Sequence, residues 1–434
     1  MRKYMSEGQD SISLDIGEEF GPIDIARILN EIRESETPQL FGTKKGGSIS
    51  SNIEIRNGVA YFGACDGNFY AVDAETGKGL WRFSSGDIMS AFRMGKDALY
   101  VSCFDHNLYA IGFDGKEKWR FRTNGKLGNV PYEWENKIYF GSEDGNFYCI
   151  DMNGRLVWRF AANSPIAAMP VVHKGLALFG DFGGNFYALD SRTGSVVWKF
   201  RAGGGLGGCI VHKDVIYLTC LNKTLYALDL DGKEVWRYKS GKTMTTSILC
   251  KPYNDMIFIG ARESGMSAIS TKERRRIWEF QTDDMVLSYS DTSEGILYFG
   301  SCYNRFFAVD AGTGKLIWSF NTNGPNAAGC SVYNGKVYFG SWDCNAYCLD
   351  AKTGELIWKF HTSMGNMSDY EVDRRADKPE LSIVINLPEA EKKDAAMEEP
   401  ESKDYGEFSG AYIEKEKSDY VKSGRRGYVK KKGF

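Results

Sequence analysis

The stretch Ala71-Val-Asp73-Ala-Glu-Thr76-Gly77-Lys78-Gly-Leu80-Trp81 decides how this chain is read, because it returns. It reappears as Ala188-Leu-Asp190-Ser-Arg-Thr193-Gly194-Ser-Val-Val-Trp198 and as Ala308-Val-Asp310-Ala-Gly-Thr313-Gly314-Lys-Leu-Ile-Trp318. Between and beyond these copies the tryptophan keeps its beat: Trp81, Trp119, Trp158, Trp198, Trp236, Trp278, Trp318 and Trp358, at steps of 38 to 42 residues. Scattered tryptophans do not do this, so most of the ten in the chain count a repeat. Trp134 and Trp342 fall outside the series.

Working outward, each tryptophan is preceded by short runs rich in Val, Ile, Tyr and Phe, broken by Asp-Gly, Asn-Gly or Thr-Gly. The last unit reads Val337-Tyr-Phe-Gly340, then Ala346-Tyr-Cys-Leu-Asp350, then Leu356-Ile-Trp-Lys-Phe360. This is the grammar of strands joined by tight hairpins. A further alternating run precedes each unit, which gives four strands per repeat. Four antiparallel strands about every 40 residues mark a propeller blade, which cannot bury both faces alone and must stack on its neighbours. Eight tryptophans predict an all-β, eight-bladed β-propeller over residues 46–362. The recurring ring is expected to wedge between blades, its indole N–H meeting a neighbouring carbonyl. The glycine of the turn before it is expected at φ > 0. The first strand of the first blade has two competitors, Ile49–Ile55 and Met367–Val372, so the manner of ring closure stays open.

Composition narrows the rest. The 434 residues carry a formal charge of −3, too little for long-range attraction to nucleic acid or anionic lipid. No run approaches the 18 or so apolar residues of a membrane span. Met1–Asp15 is polar and lacks the apolar core of an export signal, so a cytoplasmic location with reduced thiols is expected for the ten cysteines. No CxxC occurs. Cys209, Cys250 and Cys330 share a slot with Pro131 and Pro170, and Cys149 and Cys348 share one with Ala71, Ala110, Ala188 and Ala227. Such slots want small residues, and a free thiol packs as a small hydrophobe. No metal ligand set and no catalytic set is assigned.

The pattern Ala71-x-Asp73-x-x-Thr76-Gly77-Lys78-x-x-Trp81 resembles the tryptophan-docking repeat of the pyrroloquinoline-quinone-like propellers. With Tyr-Phe-Gly-Ser and Asp-Gly-Asn-Phe-Tyr before it, the resemblance covers about three quarters of the chain. It implies an eight-bladed ring. Members of that family include exported quinoprotein dehydrogenases, the propeller lipoprotein of outer-membrane assembly, and kinase-linked sensors. The vicinal cysteine pair, inserted loops and export signals of those enzymes and lipoproteins are missing here, and so is any kinase motif. The chain therefore looks like a non-catalytic cytosolic branch, with no cofactor assigned. A quinone-binding oxidoreductase or ligand sensor is the alternative.

In a repeat protein the recurrent residues build the scaffold, so the departures carry function. The turns between second and third strands vary most. They supply the candidate interaction residues Phe104, Asp105, His106, Phe182, Arg262, Glu263, Tyr303, Trp342 and Asp343, a mixture of aromatic and charged side chains that suits protein recognition. Asp105 and His106 are also the best-placed acid–base pair, although adjacent turn residues point apart. His173 and His212 occupy equivalent turns in successive units. The turn Thr271–Arg276 lacks the usual glycine and presents Arg274–Arg276. Residues 1–45 form an N-terminal extension with an amphipathic helix expected at about 22–33, where Ile25, Ile28, Leu29 and Ile32 share a face. Residues 363–434 are a charged extension expected to be mostly disordered. Its basic end, Lys422 to Lys432, is the one place where nucleic acid or membrane contact is expected, and a protein partner is expected overall.

Overall fold

A computed structural model describes residues 47–162, 164–166, 168–244, 252–263 and 265–362. They form eight antiparallel sheets, each built from consecutive strands of one continuous stretch. The first blade is Glu54–Arg56, Val59–Gly63, Asn68–Asp73 and Gly79–Ser84. The last is Cys330–Tyr333, Lys336–Gly340, Asn345–Asp350 and Leu356–His361. Seven sheets have four strands and the sixth has three among the described residues, Met256–Gly260, Met266–Ser270 and Arg275–Phe280. The expected fold class needs one correction. All regular elements among the described residues are strands, so no helix belongs to the fold as described, and the segment 22–33 lies outside those residues. The charged extension 363–434 lies outside them too.

The periodic residues have one physical job, which is to make the seams between blades. Eight buried apolar clusters occur, one at each seam; the cluster of Phe69, Phe92 and Tyr109 joins blades one and two. Seven of the eight repeat tryptophans donate their indole N–H to a backbone carbonyl of the next blade, from Trp81 to Phe113 O (3.0 Å) round to Trp358 to Ala74 O (3.0 Å). Each of these rings lies on the turn glycine of that neighbour. Gly77 has φ +76°, and a methyl group there would sit 2.8 Å from Trp358 Cδ2. Across the sheet from each tryptophan stands a small residue: Ala71 opposite Trp81, Cys149 opposite Trp158, Cys348 opposite Trp358. The strand register shifts just after that pair in every blade. The small slot in the sequence is therefore the room left for the ring and its bulge. Burial pushes the thiols of Cys149 and Cys348 up to about 12, as expected of packing residues rather than nucleophiles.

The ring closes without exchanging a strand. Ile49, in the stretch expected to start the first blade, pairs with Ala64 and donates its N–H to Ser341 O (3.1 Å) in the last blade. Gly47 N donates to Thr362 Oγ1 (3.1 Å), and the Tyr70 hydroxyl donates to Thr362 O (2.5 Å). Ile49 also lies on Gly340, where a methyl group would be 2.2 Å from its Cγ2. A single cluster, including Phe62, Tyr70, Trp358 and Phe360, spans the first and last blades. The competitor Met367–Val372 lies outside the described residues.

Candidate functional site

Antiparallel order puts the second-to-third turns and the fourth-to-first crossings on one rim of the ring. The remaining turns fall on the other. On the first rim the backbone repeats eight times. The residues at the variable slot are Cys65, Phe104, Glu143, Phe182, Leu221, Arg262, Cys302 and Trp342. Each donates its N–H to a carbonyl of the crossing that enters its own blade, at 2.8–3.1 Å. One constant framework thus holds eight positions that carry six types of side chain, from cysteine to tryptophan.

The candidate residues do not all face solvent. Phe104 is 4% exposed with Lys126 Nζ 5.3 Å from its ring centre, and Trp342 is 5% exposed. Asp343 is buried, and its carboxylate accepts from Asn345 N (3.0 Å), Asn323 N (3.0 Å) and the Tyr347 hydroxyl (2.5 Å). Asp105 is used the same way: it accepts from Asn107 N (2.9 Å) and from the Tyr109 hydroxyl. Asp105 is thus committed to its own turn rather than to His106, which has φ +74° and whose carbonyl accepts from Thr123 N (2.9 Å). These aspartates shape the turn. The spacing that could have shown it is the repeated Asp-x-x-x-Tyr of Asp66/Tyr70, Asp105/Tyr109, Asp144/Tyr148 and Asp343/Tyr347.

Of the candidate residues, Tyr303, 41% exposed, and Glu263 are exposed, and Asp105, His106, Phe182 and Arg262 are partly covered. Glu263 accepts from the Thr243 backbone N–H (2.7 and 2.9 Å) and hydroxyl (2.7 Å). Burial raises its pKa, but those donors outweigh it and hold the carboxyl below its ordinary value. The buried indole N–H of Trp342 meets no acceptor among the described residues. Two charged groups of the crossings are ion-paired, Lys242 with Glu279 (2.5 Å) and Asp283 with Arg305 (3.3 Å).

On the opposite rim, His173 and Lys174 both reach Asp214 of the next blade (2.8 and 2.7 Å). His212 and Lys213 repeat this on Asp255. The two histidines are therefore clamps between neighbouring blades, each on its own aspartate. Among the described residues no group of three or more His, Cys, Asp or Glu is placed to hold a metal ion. No helix of the described residues is long and apolar enough to cross a membrane.

A protein-family model described as outer membrane protein assembly factor BamB matches residues 65–204, 183–301 and 290–374. No curated protein matches the chain. Among solved structures, the computationally designed Ika8 protein superposes with a TM-score of 0.64 at 14% identity, covering 70% of this chain and 96% of that one. BamB from Moraxella catarrhalis gives 0.58 at 18% identity, with 68% and 94% covered. Quinohemoprotein alcohol dehydrogenase from Comamonas testosteroni gives 0.60 at 13% identity, with 72% of each chain covered. At these identities the structural likeness speaks for the fold alone.

Proposed function

We infer that this chain, which belongs to the family described as outer membrane protein assembly factor BamB, is a non-enzymatic binding scaffold for a protein partner, working in the cytoplasm. The observation that carries the reading is the rim on which one backbone arrangement, repeated eight times, holds six different types of side chain. Variation on an invariant frame is how a repeat protein presents a specific surface. Tyr303, Phe182, Arg262 and Glu263 are the residues through which the partner is held, with an aromatic anchor flanked by charge. The location is supported by the nine described cysteines, all of which are free thiols.

The test is a paired substitution. Phe182→Asp with Tyr303→Asp should abolish co-purification of the partner while leaving the melting temperature close to that of the parent. Leu80→Asp with Val197→Asp, on exposed outer strands, should leave it intact. Equal retention by both variants would sink the reading. One observation favours a second reading, the buried N–H of Trp342, which meets no acceptor among the described residues, because a donor of that kind suits a ligand acceptor. Titration with pyrroloquinoline quinone and calcium separates the two: a saturable absorbance change that is lost in Trp342→Phe would replace the scaffold with a ligand-binding propeller.

A further inference from the structure

The opposite rim carries a cavity that plays no part in the reading above. It has a volume of about 300 Å³ and lies where the first strands of blades one, two and three come together, lined by Arg56, Arg93, Met94, Lys96, Tyr132 and Glu133. The two arginines differ in how fully they are used. Arg56 is a fixed post, its Nη1 donating to Gly95 O (2.6 Å) and Lys96 O (3.3 Å) while its guanidinium lies 5.1 Å from the Phe113 ring centre.

Arg93 is held from behind and left open in front. Its guanidinium carbon sits 5.6 Å from the Tyr132 ring centre. Its hydrogen bonds are a long one from Nε to Pro131 O (3.4 Å) and a weak one from Nη2 to the Met169 thioether (4.0 Å). A guanidinium has five N–H donors in a planar fork, so among the described residues most of this one's capacity is unused.

The nearby carboxylates are otherwise engaged. Glu54 accepts from Met94 N (3.0 Å) and Asn52 Nδ2 (2.9 Å), and burial raises its pKa against the pull of Arg93. Glu133 accepts from Lys96 N (3.1 Å). Asp97, in the same turn as Lys96, is solvent-exposed. The Tyr132 ring beside it holds a planar donor fork at the edge of the cavity, a geometry that receives a carboxylate or phosphate through two parallel hydrogen bonds.

We propose that this cavity is a binding site for a small free oxyanion, held by the Arg93 guanidinium with Lys96 as the second cation. The site faces away from the variable turns, so it can be occupied whether or not a partner is bound on the other rim. The test is calorimetric titration of the full chain with inorganic phosphate and, separately, with succinate, at constant ionic strength against sodium chloride. Saturable binding by one of them is expected, and which one it is distinguishes a phosphate from a carboxylate ligand. Arg93→Met should weaken it about tenfold or more, the loss expected for a charged hydrogen-bonded pair. Glu133→Gln removes a competing negative charge and should tighten binding, a gain that misfolding cannot imitate. Heats no different from sodium chloride, or equal affinity in Arg93→Met and the parent, would overturn the proposal.

Discussion

Trp358 shows at the residue scale how one side chain does several things at once. It fills the seam between last and first blades, lies on Gly77 and donates to Ala74 O. Trp358→Ala leaves a large void and should cost about 3–5 kcal/mol, read as a shift of the denaturation midpoint. Trp236→Ala should cost about 1 kcal/mol less, since among the described residues no carbonyl of the next blade receives its indole. The inter-blade clamps have a pH signature. Asp214 is held below the ordinary carboxylate range by Lys174 and His173, and Asp255 by His212 and Lys213. A depressed carboxylate pKa gives stability that is fully present above the unfolded value of about 4 and is lost as pH falls through the folded value. The melting-temperature gap between the parent and an Asp214→Asn, Asp255→Asn variant should therefore be widest near neutrality and close on acidification. It should also shrink in high salt, because both pairs are exposed. A gap that widened in acid would contradict this assignment.

At the scale of the element, the sixth blade is where the repeat breaks its own rule. Its turn places Arg274 at φ +56° in the slot that holds glycine in the other blades, with Arg274 N donating to Ser270 O (2.8 Å) as Gly77 N does to Asp73 O (2.9 Å). A left-handed backbone is strained for a side chain with a Cβ, and in the seven regular seams the indole occupies the space a Cβ would need. Sequence and structure agree on the outcome: Trp236, which faces this turn, is the repeat tryptophan without the inter-blade bond. Arg274→Gly should stabilise the chain by about 1 kcal/mol in urea unfolding, whereas an unchanged or lower midpoint would show that the turn is not strained. The basic turn itself is partly self-neutralised, with Arg275 on Glu273 (2.5 Å) and Arg276 on Glu279 (2.6 Å). This weakens it as a dock for acidic partners.

For the whole molecule, the ring was legible because its determinants recur. A tryptophan every 40 residues, a small residue across the sheet and a glycine in the turn are one packing device, written in full seven times and once with Arg274 in place of the glycine. Closure was less legible, because it rests on single contacts that do not recur, such as Ile49 on Gly340 and Thr362 on Gly47. The candidate rim was read in position but not in exposure. Phe104 and Trp342 stand at turn tips in the sequence, yet the neighbouring crossings cover them, and Asp105 and Asp343 are taken by tyrosines four residues on. The pocket around Arg93 escaped the sequence because its residues come from three blades and sit in no motif. The central claim, that the rim of second-to-third turns is the working face, is tested most directly by placing a photoreactive phenylalanine analogue at Tyr303 and at Phe182, and at Lys174 on the opposite rim. Irradiation in the native cell should yield a discrete cross-linked product from the first two positions and none from the third. Cross-linking from Lys174 alone, or from none of the three, would contradict the account.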